Sequence, residues 1–496
     1  MMTDHQGMDD SGLRATAARG VVWSLLGAWG AKATQTVILV LLARLLLPED
    51  FGVVALATVF TALLAFVRDQ GFAQAIIQRR DLQPAHLDTS FWTAVLIGLA
   101  FTALMQVVAA PLAGAFDSPQ LEGALRWLSI NFTIGGLRGT PAALLRRELR
   151  FKALAARNLV ATAAGGVAAV AVAALGGGVW ALVAQALVDI TVSTIAVWWA
   201  VKWRPTLRFS ARHFKELFGF SSNVLGINLS NFAHQYSDDA LIGAVLGPVR
   251  LGIYTVAYRL VRLIGELFAQ AIGAVTLPTF SRLQDDDDRL RRATSLSLRA
   301  IAAASVPAFV GLVLTAPELI ALLFGTRWSA SVPVMQILAI GAIAQPITMM
   351  QSDVMLAAGK QRAALVLNVC NAIASVLGFA IAVRHGLLAV AAAFSIRAYL
   401  MVPFGIYLTW RTVQTDARTY LRPYAVPGLA AIAMAVAVAV VDLALGDRPL
   451  ALLLGAKLLV GGASYVVALR LLSAELSEEL VGLIRLARSS RTVQAT

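Results

Sequence analysis

Apolar runs of about the length a bilayer demands, roughly 20 residues each, recur from residue 20 to residue 472 with only short polar breaks between them. That rhythm leaves a chain few ways to fold. The composition agrees: 58% of the residues are hydrophobic and 14% are charged, where a soluble protein averages about 25% charged. Barrel strands would be short and would alternate apolar with polar residues, so the runs predict helices. The expected fold is an all-α polytopic membrane protein. Its spans read 20–46, 51–77, 88–112, 119–145, 152–175, 178–200, 214–246, 250–280, 293–324, 331–357, 361–383, 386–410, 425–445 and 450–472. That makes about 14 transmembrane helices, with 12 as the alternative. The last two runs, and the pairs divided only by Gly176–Gly178 or Arg384–Gly386, carry the difference.

Loop charge sets the expected orientation. Alternate loops hold Arg79 and Arg80, the stretch Arg146 to Lys152, and "KWRPTLRFSARHFK" from Lys202 to Lys215. The same set continues with "DDDDRLRR" from Asp285, "GKQR" from Gly359, and Arg411, Arg418 and Arg422. The other loops hold mainly single cations: Arg250, Arg327, Arg384 and Arg448. The positive-inside rule then places the basic set, and both termini, in the cytoplasm. Much of the net charge of +13 serves this topology, so no nucleic-acid partner is expected. The polar stretch before residue 20 reads as a cytoplasmic tail and not as a cleaved leader. With one cysteine, Cys370, the chain forms no internal disulfide.

No loop is long enough to fold as a soluble domain, and no phosphate-binding loop, zinc-ligand cluster or nucleophile elbow is present. The four acids Asp285–Asp288 point in different directions around a helix and sit beside Arg289, Arg291 and Arg292, which suits a solvated loop better than a metal site. No enzymatic activity, cofactor or metal is expected, and no residue is assigned a catalytic role.

The chain repeats itself. "PEDFGVVALA" from Pro48 returns as "PVRLGIYTVA" from Pro248, matching Pro48 with Pro248, Gly52 with Gly252 and Ala57 with Ala257. "APLAGAF" from Ala110 is echoed by "APELIALLF" from Ala316, and "LRFKAL" from Leu149 by "KQRAAL" from Lys360, in the same order. A unit of six spans leaves both copies in the same orientation, which makes them parallel repeats. The expected layout is an N-terminal tail (1–19), a six-helix lobe (20–200), a basic linker (201–213) and a second six-helix lobe (214–410). A helix pair (411–472) and a cytoplasmic tail (473–496) follow. Two such lobes around a central cavity are the architecture of a transporter.

The stretches "LARLLLPEDFGVVALA", "DQGFAQAIIQRRDL", "LLRRELRFKALA" and "YSDDALIGAVLGPVRLGIYTVAYRLV" resemble the multidrug/oligosaccharidyl-lipid/polysaccharide exporter superfamily, and within it the Wzx-type polysaccharide flippases. The resemblance runs over nearly the whole chain. It implies a V-shaped pair of bundles in the bacterial cell inner membrane that opens alternately to either side. The implied substrate is an undecaprenyl-pyrophosphate-linked oligosaccharide, the repeat unit of an exopolysaccharide, capsule or O-antigen. The last two helices would help hold the lipid tail. The polysaccharide polymerase and export machinery are the further partners such a role implies, with a monomeric transport unit among membrane lipids. The runner-up is a cation-coupled multidrug exporter of the same superfamily.

An anionic head group asks for a cationic, wet path. An arginine at mid-bilayer costs about 2.5–3.5 kcal/mol on insertion scales, so such residues face a bundle interior or a cavity. The candidates are Lys32, Arg68 with Asp69, Arg138, Arg259, Arg262 and Arg397. Arg259 and Arg262 share a helix face with Glu266, which suits an ion-pair ladder or a cavity wall. Asp238 and Asp239 are candidates for pairing with cations on a neighbouring span, or for ion coupling of the kind the drug-exporting relatives imply. Aligning "FAQAI" at Phe72–Ile76 with its identical copy at Phe268–Ile272 sets Arg68 and Asp69 against Ile264 and Gly265. The second copy keeps the helix without the charges, which points to a site in the first lobe. The resemblance points the same way, since lipid II flippases have a similar charged stretch here with cations that line the cavity.

Overall fold

The computed structural model describes residues 10–68, 72–79, 81–280, 287–445, 448–476 and 478. Side-chain surroundings are described for these except at 10–26, 28, 217–231, 271–279 and 287. Every regular element among the described residues is helical. The helices are α1 (Asp10–Leu45), α2 (Pro48–Arg68), α3 (Phe72–Gln78), α4 (Pro84–Ala115), α5 (Pro119–Arg147), α6 (Phe151–Ala174), α7 (Val179–Ala200) and α8 (Ala211–Phe280). They continue as α9 (Asp287–Leu314), α10 (Ala316–Leu323), α11 (Ser331–Ala342), α12 (Gln345–Ala357), α13 (Gln361–Ala382), α14 (Leu387–Val413), α15 (Ala417–Leu445) and α16 (Leu450–Leu472).

Eleven helical segments of the described residues are long and apolar enough to cross a membrane. The expected spans at 20–46 and 119–145 are helical, as parts of α1 and α5, but are not among the eleven. In α5 the reason is polarity, since it carries Glu122, Arg126, Asn131 and Arg138, whereas the first half of α1 lies outside the residues whose side-chain surroundings are described. The runs 214–246 and 250–280 both fall within α8 and are parted at Gly247, whose backbone is not helical (φ 80, ψ 173). That left-handed φ suits glycine, and Pro248 after it has no backbone donor to lose, so one helix ends and the next begins there without a loop. Prolines also divide the run 293–324 ahead of Pro317 and the run 331–357 ahead of Pro346.

The chain divides into two compact units, Met1–Gly252 and Ile253–Thr496. In the first, α5 packs against α4, α2, α3 and α7, while α6 lies between α1 and α7. Its core toward the α3 and α7 ends is built from Ile76, Leu87, Leu144, Leu154 and Val197. The segment after α7 is pinned to α4: Asp88 accepts from the Thr206 backbone at 3.1 Å and from its hydroxyl, and Trp92 donates to the Thr206 carbonyl at 2.8 Å. In the second unit, α9 packs on α15, α15 on α16, and α14 on α11, α12 and α13. Ala302, Val306, Ala430, Met434 and Tyr465 join α9 to the last helix pair.

The clearest repeat match in the sequence is also a contact. A Cβ on Gly52 would lie 1.7 Å from the Pro248 carbonyl oxygen, and one on Gly252 would lie 1.8 Å from that of Pro48. Both neighbours are backbone, so neither can rotate away. Gly52→Ala is expected to destabilise the protein toward the upper end of the about 1–3 kcal/mol typical of overpacking, read as a lower unfolding temperature in detergent. An unchanged melting curve would mean the two backbones do not meet this closely.

Candidate functional site

Three helices of the first unit bring charged groups to one place. Arg138 on α5 donates from a guanidinium nitrogen to the Ser193 hydroxyl on α7, 3.1 Å away. Asp189 lies one turn before Ser193 on α7 and accepts from the Thr162 hydroxyl of α6 at 3.4 Å. Arg157, half-buried on α6, interacts electrostatically with both Arg138 and Asp189. Two guanidinium groups thus act on one carboxylate where α5, α6 and α7 meet. Gly165 permits the approach of α6 to α7, because a Cβ there would lie 2.8 Å from the Gln185 carbonyl oxygen.

Arg68 ends α2 on the neighbouring flank of α5. It is buried, and one terminal nitrogen lies 3.4 Å from the carbonyl oxygens of both Asn131 and Phe132. Gly135 makes the room, since a Cβ there would come within 2.4 Å of that nitrogen. Arg68 and Arg138 are therefore held by the same helix, two turns apart in their anchoring residues. Asp69 lies outside the described residues. Lys32 is half-buried on α1, the helix that packs along α6. Asp238 is buried and accepts from the Asp239 backbone at 3.0 Å.

In the second unit Arg397 is buried within α14. It donates to the Asn371 side chain at 2.9 Å and to the Ser375 hydroxyl at 2.8 Å, both on α13, and lies over the Phe394 ring with its guanidinium carbon 5.1 Å from the centroid. Arg259 and Arg262 are exposed on α8, and Arg262 pairs with Glu266 at 2.9 Å. The structure thus groups Arg68 with the α5 cluster, and in the second unit Phe394 beneath Arg397 meets the Tyr258 ring of α8 with centroids 5.7 Å apart.

The second unit also holds an apolar slot of 630 Å³ walled by α9, α14 and α15, with Val306, Val402, Ile406, Leu421 and Tyr424 among its lining. Leu421 is shared with a smaller hollow of 360 Å³ at the start of α15, lined by Arg418 and Arg422. An oily slot that ends at two arginines suits an amphiphile with an anionic head. Asp416 caps this end of α15, accepting from the Thr419 backbone at 3.1 Å and its hydroxyl at 2.6 Å. Those bonds, the Thr419 hydroxyl first, hold the Asp416 carboxyl below its ordinary range. A depressed carboxylate stabilises the fold above its unfolded value and loses that contribution as pH falls through the folded one. Hydrogen-exchange protection at 417–424, taken relative to the intrinsic rate at each pH, is therefore expected to be high at neutral pH and to fall at acid pH. Asp416→Ala, a lost helix cap worth about 1 kcal/mol, should show the low protection at every pH, and identical protection in the variant would remove the cap from the account.

Arg157, Glu318 and Lys457 are polar groups that sequence reasoning passed over. Arg157 follows a basic loop and reads as its continuation, although it already lies in the second turn of α6. Lys457 stands in the third turn of α16, where a cation in an apolar run is the available signal.

The chain matches known proteins in sequence and in fold. The profile of the family described as "Polysaccharide biosynthesis protein" matches residues 41–333. The succinoglycan biosynthesis transport protein ExoT of Rhizobium meliloti (strain 1021) is 30% identical over 329 residues, which is 66% of each chain. The structure of the lipid II flippase MurJ in an inward closed conformation superposes with a TM-score of 0.75 at 14% identity, covering 92% of this chain and 99% of that one. An inward-facing multidrug resistance transporter of the MATE family, in the MOP superfamily, gives 0.63 at 17% identity over 77% and 94%. These two likenesses speak for the fold.

Proposed function

The chain belongs to the polysaccharide biosynthesis protein family, and from that premise we propose that it moves lipid-linked oligosaccharide repeat units across the bacterial inner membrane, from the cytoplasmic to the periplasmic leaflet. The observation that carries this reading is the cluster of Arg138, Arg157 and Asp189 where α5 meets the apolar helices α6 and α7. Two cations to one carboxylate at membrane depth favour an anionic head such as a pyrophosphate. Arg68 and Lys32 extend the basic character on α2 and α1, and Arg259, Arg262 and Arg397 supply it in the second unit. The apolar slot beside Arg418 and Arg422 would take the polyprenyl tail.

Movement by alternating access needs no chemical step and no nucleotide. A charge crossing 100 mV gains about 2.3 kcal/mol, and an interior-negative potential drives an anionic head outward. Both termini would lie in the cytoplasm. Asp238 and Asp239 remain candidates for ion coupling, and the polymerase and export machinery would take the product onward. A strain deleted for this protein should accumulate lipid-linked oligosaccharide and lose the polymer. Normal polymer there, together with lost drug resistance in a polysaccharide-null background, would favour the multidrug reading instead. Arg68→Gln should likewise stop polymer production while the protein still inserts, and full complementation by that variant would remove Arg68 from the path.

A further inference from the structure

We infer that the segment 201–210, which joins α7 to α8, is a docking surface for anionic phospholipid. The segment is not helical, and α4 fastens it on both sides of a short exposed stretch. Ahead of that stretch, Asp88 accepts from the Thr206 backbone at 3.1 Å and from its hydroxyl, while Trp92 donates to the Thr206 carbonyl at 2.8 Å. Behind it, the Ser210 backbone donates to the Thr89 hydroxyl at 3.2 Å. Leu207, Arg208 and Phe209 are held outward between these two clamps. Leu207 is 89% exposed and Phe209 57%, and Trp199 in the last turn of α7 is 87% exposed.

Water is a poor medium for such side chains. The segment lies between the end of α7 and the polar first turns of α8, which is the level of lipid head groups, where tryptophan concentrates. The charge around it has one sign. Lys202, Arg204, Arg208, Arg212 and Lys215 stand between residues 201 and 215, with no Asp or Glu among them. The carboxylates that touch this region are occupied: Asp88 is buried against Thr206, and Glu216 pairs with Arg79 at 2.5 Å and with Arg212 at 3.1 Å. Among the described residues, neither Lys202 nor Arg208 has an ion-pair partner.

An acidic protein of ordinary surface would answer the cations and leave Leu207 and Phe209 in water. A bilayer of anionic lipid answers both at one depth, with phosphates for Lys202 and Arg208 and the upper acyl region for the apolar pair. A cation beside such a surface contributes about fivefold in affinity. The inference does not depend on what the protein transports, and its test needs no substrate.

For that test Cys370, the single cysteine, is replaced by serine in the full-length protein, and Leu207→Cys is labelled with bimane. The protein is reconstituted in mixed phosphatidylcholine and phosphatidylglycerol, with one lipid or the other brominated, since a brominated chain quenches a label that it touches. A label at Val107→Cys, 74% exposed on α4, reports ordinary lipid contact. Brominated phosphatidylglycerol should quench the label at 207 more than brominated phosphatidylcholine does. That preference should fall about fivefold in Arg208→Gln, and should fall in the unsubstituted segment as salt is added. The label at 107 should show neither effect. No quenching at 207 by either lipid, the result for a segment covered by protein or left in water, would overturn the proposal. So would equal quenching by the two lipids, or a preference that added salt leaves unchanged. The salt series decides by itself should Arg208→Gln fail to fold.

Discussion

Glutamine at both Arg138 and Arg157 is expected to abolish polymer production while the protein still inserts in the membrane. A hydrogen bond to a charged group contributes about 1.5–3 kcal/mol, so removing two charged donors from the path removes about 3–6 kcal/mol. At about 1.4 kcal/mol per factor of ten, transport should fall by roughly two to four orders of magnitude. The Thr162 hydroxyl still donates to Asp189, and the amount of inserted protein controls for the stability lost by leaving that carboxylate without a counter-charge. Polymer yield in the complemented deletion strain, set against the amount of membrane-inserted protein, reads the effect. Full complementation would show that this cluster is internal glue between α5, α6 and α7.

The second large effect is on stability. Lys457→Met should destabilise the second unit by about 3–5 kcal/mol, the cost of removing one partner from a buried ion pair. Lys457 is 3% exposed, so solvent screening gives little relief. The variant strands Glu318 and Asp442 side by side with no counter-charge. Thermal unfolding in detergent should show a large drop in midpoint, and α15 and α16 should lose hydrogen-exchange protection first. The double variant with Glu318→Gln should recover much of the loss, because the unpaired buried charge is gone. Equal melting of the single variant and the wild type would show that water reaches the triad freely.

The architecture was legible because lipid forces every spanning segment to satisfy its own backbone, which leaves long apolar helices as the written signal. That signal weakened in α5, where the substrate-facing candidates themselves lower the hydropathy. It did mark Gly247–Pro248, where non-helical backbone parts the two expected spans. Among site residues, Arg138 stood out as a lone cation between glycines, and the structure gives it Ser193 as a partner on another helix. Arg157 was hidden because a cation near a helix end reads as topogenic, and only three-dimensional packing brings it beside Asp189. The Lys457 triad was hidden for a related reason. Its members lie far apart in the chain, and complementary charges across distant helices leave no local spacing to read.

The central claim, movement of a lipid-linked oligosaccharide between leaflets, is tested most directly by the substrate's distribution. Inner-membrane vesicles of known orientation can be prepared from strains with and without this protein, and the oligosaccharide labelled with a reagent that does not cross the bilayer. With the protein present, label should reach the substrate on the periplasmic face. Without it, or with glutamine at Arg138 and Arg157, the substrate should stay on the cytoplasmic face. An identical distribution in all three membranes would contradict the account.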